Sequence, residues 1–357
     1  MMMTVTGMRN PCRTSNKGHP PKPNRVQKDP NHGDNMTENA NLYQNTMAWT
    51  GAIPWHKQGV GFDQAFTSDE AMAAAKLGYN VSKREMYLDN GLRVPNAMAT
   101  VNDDTGDVLG VVGNRYVVVQ NKSAFGFFDS LLSDAGARYE TAGALGKGQR
   151  IWLMARMPGT LYPVKGDEVL PYCLLTNSHD GSGTIQVRFT LIRVVCQNTL
   201  TAAMRGAKEI VNIRHTASAQ GNLIIAGEIL KDYVTHFGAM NDRLSLLANT
   251  LITDETIEEY LFKLFGDPSE ADVPANASRI QNKINAVQDH YENGRGAKLK
   301  GVRGTLWGAY NAAIEWADYD FPVRGTNGDR TQSILFGAAN DFRQKAFDTA
   351  MELAGAK

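Results

Sequence analysis

Residues 176–200, "TNSHDGSGTIQVRFTLIRVVCQNTL", bring His179, Asp180 and Cys196 into one stretch. A thiol, an imidazole and a carboxylate are the parts of a nucleophilic centre, in which the base takes the thiol proton and the acid orients the base. The surroundings of these residues read differently. Cys196 lies in the apolar run "IRVVCQ", where a cysteine behaves as a small buried hydrophobe. "SHDGSG" has turn chemistry: Asp180 and Gly181 suit positive φ, and Ser178 and Ser182 hydrogen-bond local backbone. An enzyme built on His179, Asp180 and Cys196 stays as an alternative that requires the three to converge. The seven histidines form no pair at metal-ligand spacing, so the reading includes no metal site. "ETAGALGKGQR" imitates a phosphate loop, yet Lys147 is followed by Gly and then by a strand pattern, where Ser or Thr and a helix N-terminus are needed. It reads as a hairpin turn whose Lys147 and Arg150 are either solvated or placed against phosphates.

The cations offer a second chemistry. In "RIWLMAR" Arg150, Trp152, Met154 and Arg156 alternate with Ile151, Leu153 and Ala155, and in "TIQVRFT" Gln186, Arg188 and Thr190 alternate with Ile185, Val187 and Phe189. Period-two alternation puts each set on one face of a strand. If the two strands are neighbours, guanidinium groups and an indole share an open surface, the combination that grips single-stranded nucleic acid by phosphate contact and base stacking. The same pattern also fits an antiparallel sheet with one wet face, Arg150 and Arg156 being solvated and Trp152 covered by a helix. A further basic stretch, "ENGRGAKLKGVRGT", sets Arg295, Lys298, Lys300 and Arg303 against Glu292 alone, with Gly294, Gly296, Gly301 and Gly304 permitting close backbone approach. It reads either as a phosphate-gripping loop or as a solvated connection between helices.

The elements that must carry these residues follow from periodicity and capping. "TSDEAMAAAKLG" opens with Thr67 and Glu70 in capping-box spacing and is expected to end at Gly78. Asn90-Gly91 and "NDDTGD" mark two hairpins, and "YVVVQ" reads as the last strand of that set. "NKSAFGFFDSLLSDAG" is expected as a helix burying Phe125, Phe128, Leu131 and Leu132. "RIWLMARMP", "EVLPYCLLTN" and "GTIQVRFTLIRVV" follow as strands, the middle one lying between the other two. Beyond about residue 215 the period becomes helical, with "DPSEADVPANAS" as a linker. The expected fold class is α+β: an antiparallel sheet domain with flanking helices over 47–214, then a mostly helical domain over 215–357.

Composition bounds the rest. The 37 basic and 37 acidic residues cancel, which excludes a histone-like polyanion binder while leaving room for local basic surfaces. No stretch of about 18 apolar residues occurs, so no membrane partner is expected. The sparse cysteines Cys12, Cys173 and Cys196 point to a reducing cytoplasm. Residues 1–46 hold five of the thirteen prolines and six Lys or Arg against three acids; they read as a disordered basic tail, an extension ahead of a start at Met47 or a basic arm for nucleic acid.

The order of "WHKQGVGF", "DEAMAAAKLGYNV", "LGVVGNRYVVVQNKSAFGFFDSLL", "YETAGALGKGQRIWLMARMP", "NSHDGSG" and "RVVCQNTL" resembles an uncharacterised family of phage- and plasmid-encoded proteins, from about residue 47 to the C-terminus. That resemblance implies a bacterial or viral cytoplasm and a mobile-element context, and it carries over no catalytic residue. A weaker analogy links the hairpins, the helix and the basic sheet face with phage single-strand annealing proteins of the Red-beta and Erf type. The resulting expectation is a non-enzymatic single-stranded DNA-binding protein without a cofactor, acting in replication or recombination, with annealing as a further role. It would assemble as a homo-oligomeric ring or filament. Arg150, Trp152, Arg156, Arg188 and Arg193 would line the sheet face, and Lys147, Arg295, Lys298, Lys300 and Arg303 would hold phosphates. The rival in a different class is a protein-binding factor that counters a host defence or redirects host machinery, which requires conspicuous apolar surface.

Overall fold

Runs rich in β-branched and aromatic residues form eleven strands among the described residues of a computed structural model, which describes residues 47–50, 60–62, 66–133, 136–195, 198–200, 210–219, 221, 233–322, 333 and 337–356. In chain order these strands are β1 (Met47–Thr50), β2 (Val60–Phe62), β3 (Val81–Tyr87), β4 (Arg93–Asn102), β5 (Val108–Val112), β6 (Arg138–Leu145), β7 (Arg150–Arg156), β8 (Val169–Ser178), β9 (Ile185–Arg193), β10 (Asn198–Leu200) and β11 (Ile210–Ile213). The large sheet runs β10-β9-β8-β7-β6-β1-β2, with β11 also pairing β9; a second sheet runs β3-β4-β5. Every pairing is antiparallel except that of β1 with β2, which is parallel. The fold is α+β, its described helices concentrated toward the C-terminus.

Two helices cover the inner face of the large sheet. Helix α1 (Ser68–Ala74) is opened by the Thr67/Glu70 capping box and ends at Ala75, ahead of Gly78, where Lys76 takes φ +49°. Helix α2 (Asn121–Ser133) buries Phe125, Phe128 and Leu132; the side chain of Leu131 lies outside what is described. Against them pack Ala142, Ile151, Leu153, Ala155, Cys173 and Val187, the inward half of each strand's alternation.

The second core is helical. It comprises α3 (Tyr233–Asn249), α4 (Asp254–Phe265), α5 (Pro274–Asn293), α6 (Leu306–Tyr319) and α7 (Ala338–Leu353). Helix α6 is central, buried continuously from Leu306 to Asp318. Both cores lie within one compact unit, residues 39–357, and Phe237 packs against both. The change from strands to helices falls between Ile213 and Tyr233.

Two sequence expectations are corrected. "YVVVQ" forms no strand, because its backbone is satisfied by other partners: the His215 ring at the Val117 carbonyl (3.2 Å), the Val117 N–H donating to the His215 carbonyl (3.0 Å) and Asn177 Nδ2 donating to the Val119 carbonyl (2.9 Å). The stretch read as a linker at 267–278 holds a 3-10 turn at Pro268–Glu270 and the start of α5, which opens with proline at its first position. The expected tail, residues 1–46, lies outside the described residues.

Candidate nucleic-acid interface

The register across three strands decides which cations meet. Arg150 pairs with Ser178, Trp152 with Thr176, Met154 with Leu174 and Arg156 with Tyr172; in turn Thr176 pairs with Gln186, Leu174 with Arg188 and Tyr172 with Thr190. Residues directly opposite share a face, so Arg150, Trp152, Arg156 and Arg188 do lie on one side of the sheet. β11 continues that row, with Asn212 opposite Gln186.

The indole is covered. Trp152 is 5% exposed, forms a small outer core with Leu145 and Leu174 and lies so close over Gly143 that a Cβ there would collide with two of its ring carbons. Its Nε1 donates to Thr141 Oγ1 at 3.2 Å. A ring in this position cannot receive a base, which corrects the expected stacking role.

Arg193 is corrected as well. It stands five residues from Arg188, and an odd separation along a strand puts it on the opposite face. It is 1% exposed and forms a two-pronged ion pair with Asp167, Nε to Oδ1 and a terminal nitrogen to Oδ2, both at 2.7 Å. Trp307 Nε1 donates to the same carboxylate at 2.8 Å, and the guanidinium lies 5.7 Å from the Trp307 ring centroid. This network joins the sheet to α6 and leaves Arg193 no access to a ligand.

Arg150 and Arg188 line a polar cleft of about 330 Å³, together with Ser182, Gln186, Asn212 and Asp341 from the first turn of α7. Arg150 is held on the rim by Asp180 (3.5 Å) and by Ser182 Oγ, to which it donates at 2.6 Å. Although burial opposes ionisation of Asp180, the hydroxyls of Ser178 and Ser182, the Ser182 amide and Arg150 hold its carboxyl below the usual range. Burial, followed by the nearby charge of Arg343, pushes Arg188 down to about 10, which leaves it cationic at neutral pH. Arg156 neighbours Glu140, whose carboxyl burial pushes up.

The turn carrying the cleft's rim is clamped by the small sheet and by the segment that follows it. Thr100 Oγ1 donates to the His179 carbonyl at 2.7 Å and the Tyr116 hydroxyl to the Ser178 carbonyl at 2.8 Å. A Cβ on Gly110 of β5 would fall 2.5 Å from Asp180 Cα, so only glycine permits this approach. Of the two residues expected to suit positive φ, Gly181 takes it at +76°, while Asp180 does not.

The His179 imidazole is fully buried and meets Asn121 Oδ1 at 2.7 Å. Burial, and then the neighbouring His215, pushes it down to about 3. The Asp180 carboxylate turns away to Ser178 and Ser182, so His179 and Asp180 do not form a base-and-orienter pair. Cys196 lies outside the described residues. Cys173 is buried, and burial pushes its thiol up. Among the described residues no group of three or more His, Cys, Asp or Glu is arranged to hold a metal, and no helix is long and apolar enough to cross a membrane.

Lys147 sits between Gly146 and Gly148 at the tip of the β6-β7 hairpin, and its ammonium pairs with Asp107 at 2.8 Å. In the second basic stretch Lys298, Lys300 and Arg303 are exposed and line a cavity of about 470 Å³. Arg295 is set apart, stacked over the Tyr319 ring at 4.3 Å. Two of the glycines read as ligand-approach sites serve internal packing: a Cβ on Gly296 would fall 2.8 Å from the Arg193 guanidinium, and one on Gly294 would collide with the His290 carbonyl. The residues missed from sequence are Asn212, Asp341 and Arg138. Arg138 is exposed and opposite Arg156 in the register; its alternation on β6 was the one available signal.

A family model described as a domain of unknown function, DUF932, matches residues 108–336, which include the cleft's sheet strands and the basic loop. No curated protein and no solved structure matches the chain.

Proposed function

The chain belongs to the DUF932 family, a domain of unknown function, and from its own residues we propose that it binds single-stranded DNA non-enzymatically through phosphate contacts. The observation carrying this reading is the common face of Arg150, Arg156 and Arg188 across β7, β8 and β9. Strands two apart lie about 9–10 Å from one another, and six residues along β7 span about 20 Å, so an extended strand crossing this face would meet these cations at phosphates spread over several nucleotides. Lys298, Lys300 and Arg303 supply a second group, and none of the three has an ion-pair partner among the described residues. With Trp152 covered, the contacts are polar and electrostatic. The resemblance to phage- and plasmid-encoded proteins supports a bacterial cytoplasm and a role in replication or recombination, with annealing by a homo-oligomer as its fullest form.

The test is fluorescence anisotropy of a labelled poly-dT oligomer across a salt titration. Affinity is expected to fall steeply as salt rises, and replacing Lys298, Lys300 and Arg303 together by Ala should reduce the slope of log K against log[salt] by about 2, at about 0.7 per single-strand phosphate contact. Arg150→Ala with Arg188→Ala should weaken binding further. Flat anisotropy at low salt rules the reading out. One observation favours the protein-binding rival: Tyr87, Leu88 and Leu92 at the β3-β4 hairpin are 59%, 56% and 62% exposed. Removing them should leave DNA affinity unchanged if that hairpin serves a protein partner.

A further inference from the structure

The cleft under α7 has a lining unlike that of a passive phosphate track. Arg150 and Arg188 bring two positive charges; Asp341 lines the same cleft, and Asp180 is paired with Arg150. The walls therefore carry no net charge and oppose a polyphosphate, whose several charges would face two carboxylates. The volume of about 330 Å³ lies near the lower end of small-ligand pockets, about 300–1,000 Å³. Gln186 and Asn212 stand directly opposite one another on β9 and β11, with Cβ atoms about 4.5–5.5 Å apart for such a pair. The Asn212 Oδ1 accepts from Thr184 Oγ1 at 3.2 Å, which orients that amide. The Gln186 side chain has no hydrogen-bond partner among the described residues, so its donors and acceptor remain for a ligand. Paired amides present the donor and acceptor pattern that reads a nucleobase edge, and only an unpaired base offers that edge to a pocket.

We propose that this cleft seats one nucleotide unit of a single strand, its phosphodiester on Arg188 and Arg150 and its base edge on Gln186 and Asn212. The inference rests on the nucleic-acid reading above and adds a base-contacting element to it. In a strand each nucleotide carries one negative charge, fewer than a free polyphosphate would bring against the same two carboxylates.

The experiment compares three probes on the full chain: a labelled DNA oligomer, an abasic oligomer of the same length, and ATP as competitor. The base-bearing oligomer is expected to bind about tenfold more tightly than the abasic one, the difference a single good base-edge contact supplies. Gln186→Ala and Asn212→Ala should each reduce that difference while leaving abasic binding and the thermal midpoint unchanged. Equal affinity for the two oligomers overturns the cleft assignment and leaves phosphate binding standing. Displacement of the oligomer by ATP at concentrations comparable to its own overturns it too, because a polyphosphate then suits the cleft. If neither oligomer binds at low salt, the nucleic-acid reading falls and this inference with it.

Discussion

Arg188 and Arg193 look equivalent along the chain, yet one lines a cleft and the other is buried in an ion pair. Their odd separation decides the face, and parity was legible in the sequence once the strand was assigned. What was not legible is the partner: Asp167 and Trp307 are distant in the chain and meet Arg193 only in the fold. Removing one member of a buried pair strands the other in low dielectric, so Arg193→Ala should destabilise the protein by about 3–5 kcal/mol, read by denaturant titration. Stability unchanged within about 0.5 kcal/mol would show the network to be dispensable. His179 carries a pH consequence. Its folded value of about 3 lies below the ordinary 6.5, so the unfolded chain takes up the proton first. The stability it contributes is complete above about pH 6.5 and is lost as pH falls toward 3, reaching about 3 kcal/mol by pH 4. Thermal midpoints from pH 7 to pH 4 should fall more steeply for the native chain than for His179→Gln.

Elements repeat the same division. Capping signals were readable because they are local: Thr67 and Glu70 act within one turn. "YVVVQ" was misread because strand propensity describes a side chain's fit to a pleated surface, whereas here His215 and Asn177 supply the backbone's partners. The turn at 178–183 depends on a second element, β5, whose Gly110 touches the Asp180 backbone. Gly110→Ala should therefore cost about 1–3 kcal/mol, since backbone cannot yield as a flexible side chain does. It should also weaken oligonucleotide binding, because Asp180 positions Arg150. Gly113→Ala is the control: open space surrounds it, and its effect should stay within about 0.5 kcal/mol. Equal losses in the two variants would mean that the close approach at Gly110 carries no special stability.

At the scale of the molecule, the 37 basic and 37 acidic residues leave no net charge to draw in a polyanion, so affinity must come from local groups. The cleft lies toward the Gln186 end of β9, and the basic loop is tethered at the other end, where Arg193 donates to the carbonyls of Arg295 and Gly296. Seven strand residues separate the two ends, about 23 Å. By itself the sequence determined the α+β class, most strands and helix starts, the turn at Asp180-Gly181 and the alternation that put Arg150, Arg156 and Arg188 on one face. These follow from interactions within a few residues, which periodicity and capping record. Only the tertiary structure decided that Trp152 is covered, that Arg193 is an internal tie, and that Gln186, Asn212 and Asp341 complete a cleft. Burial and pairing depend on residues far apart in the chain, and no local pattern records which of them will meet.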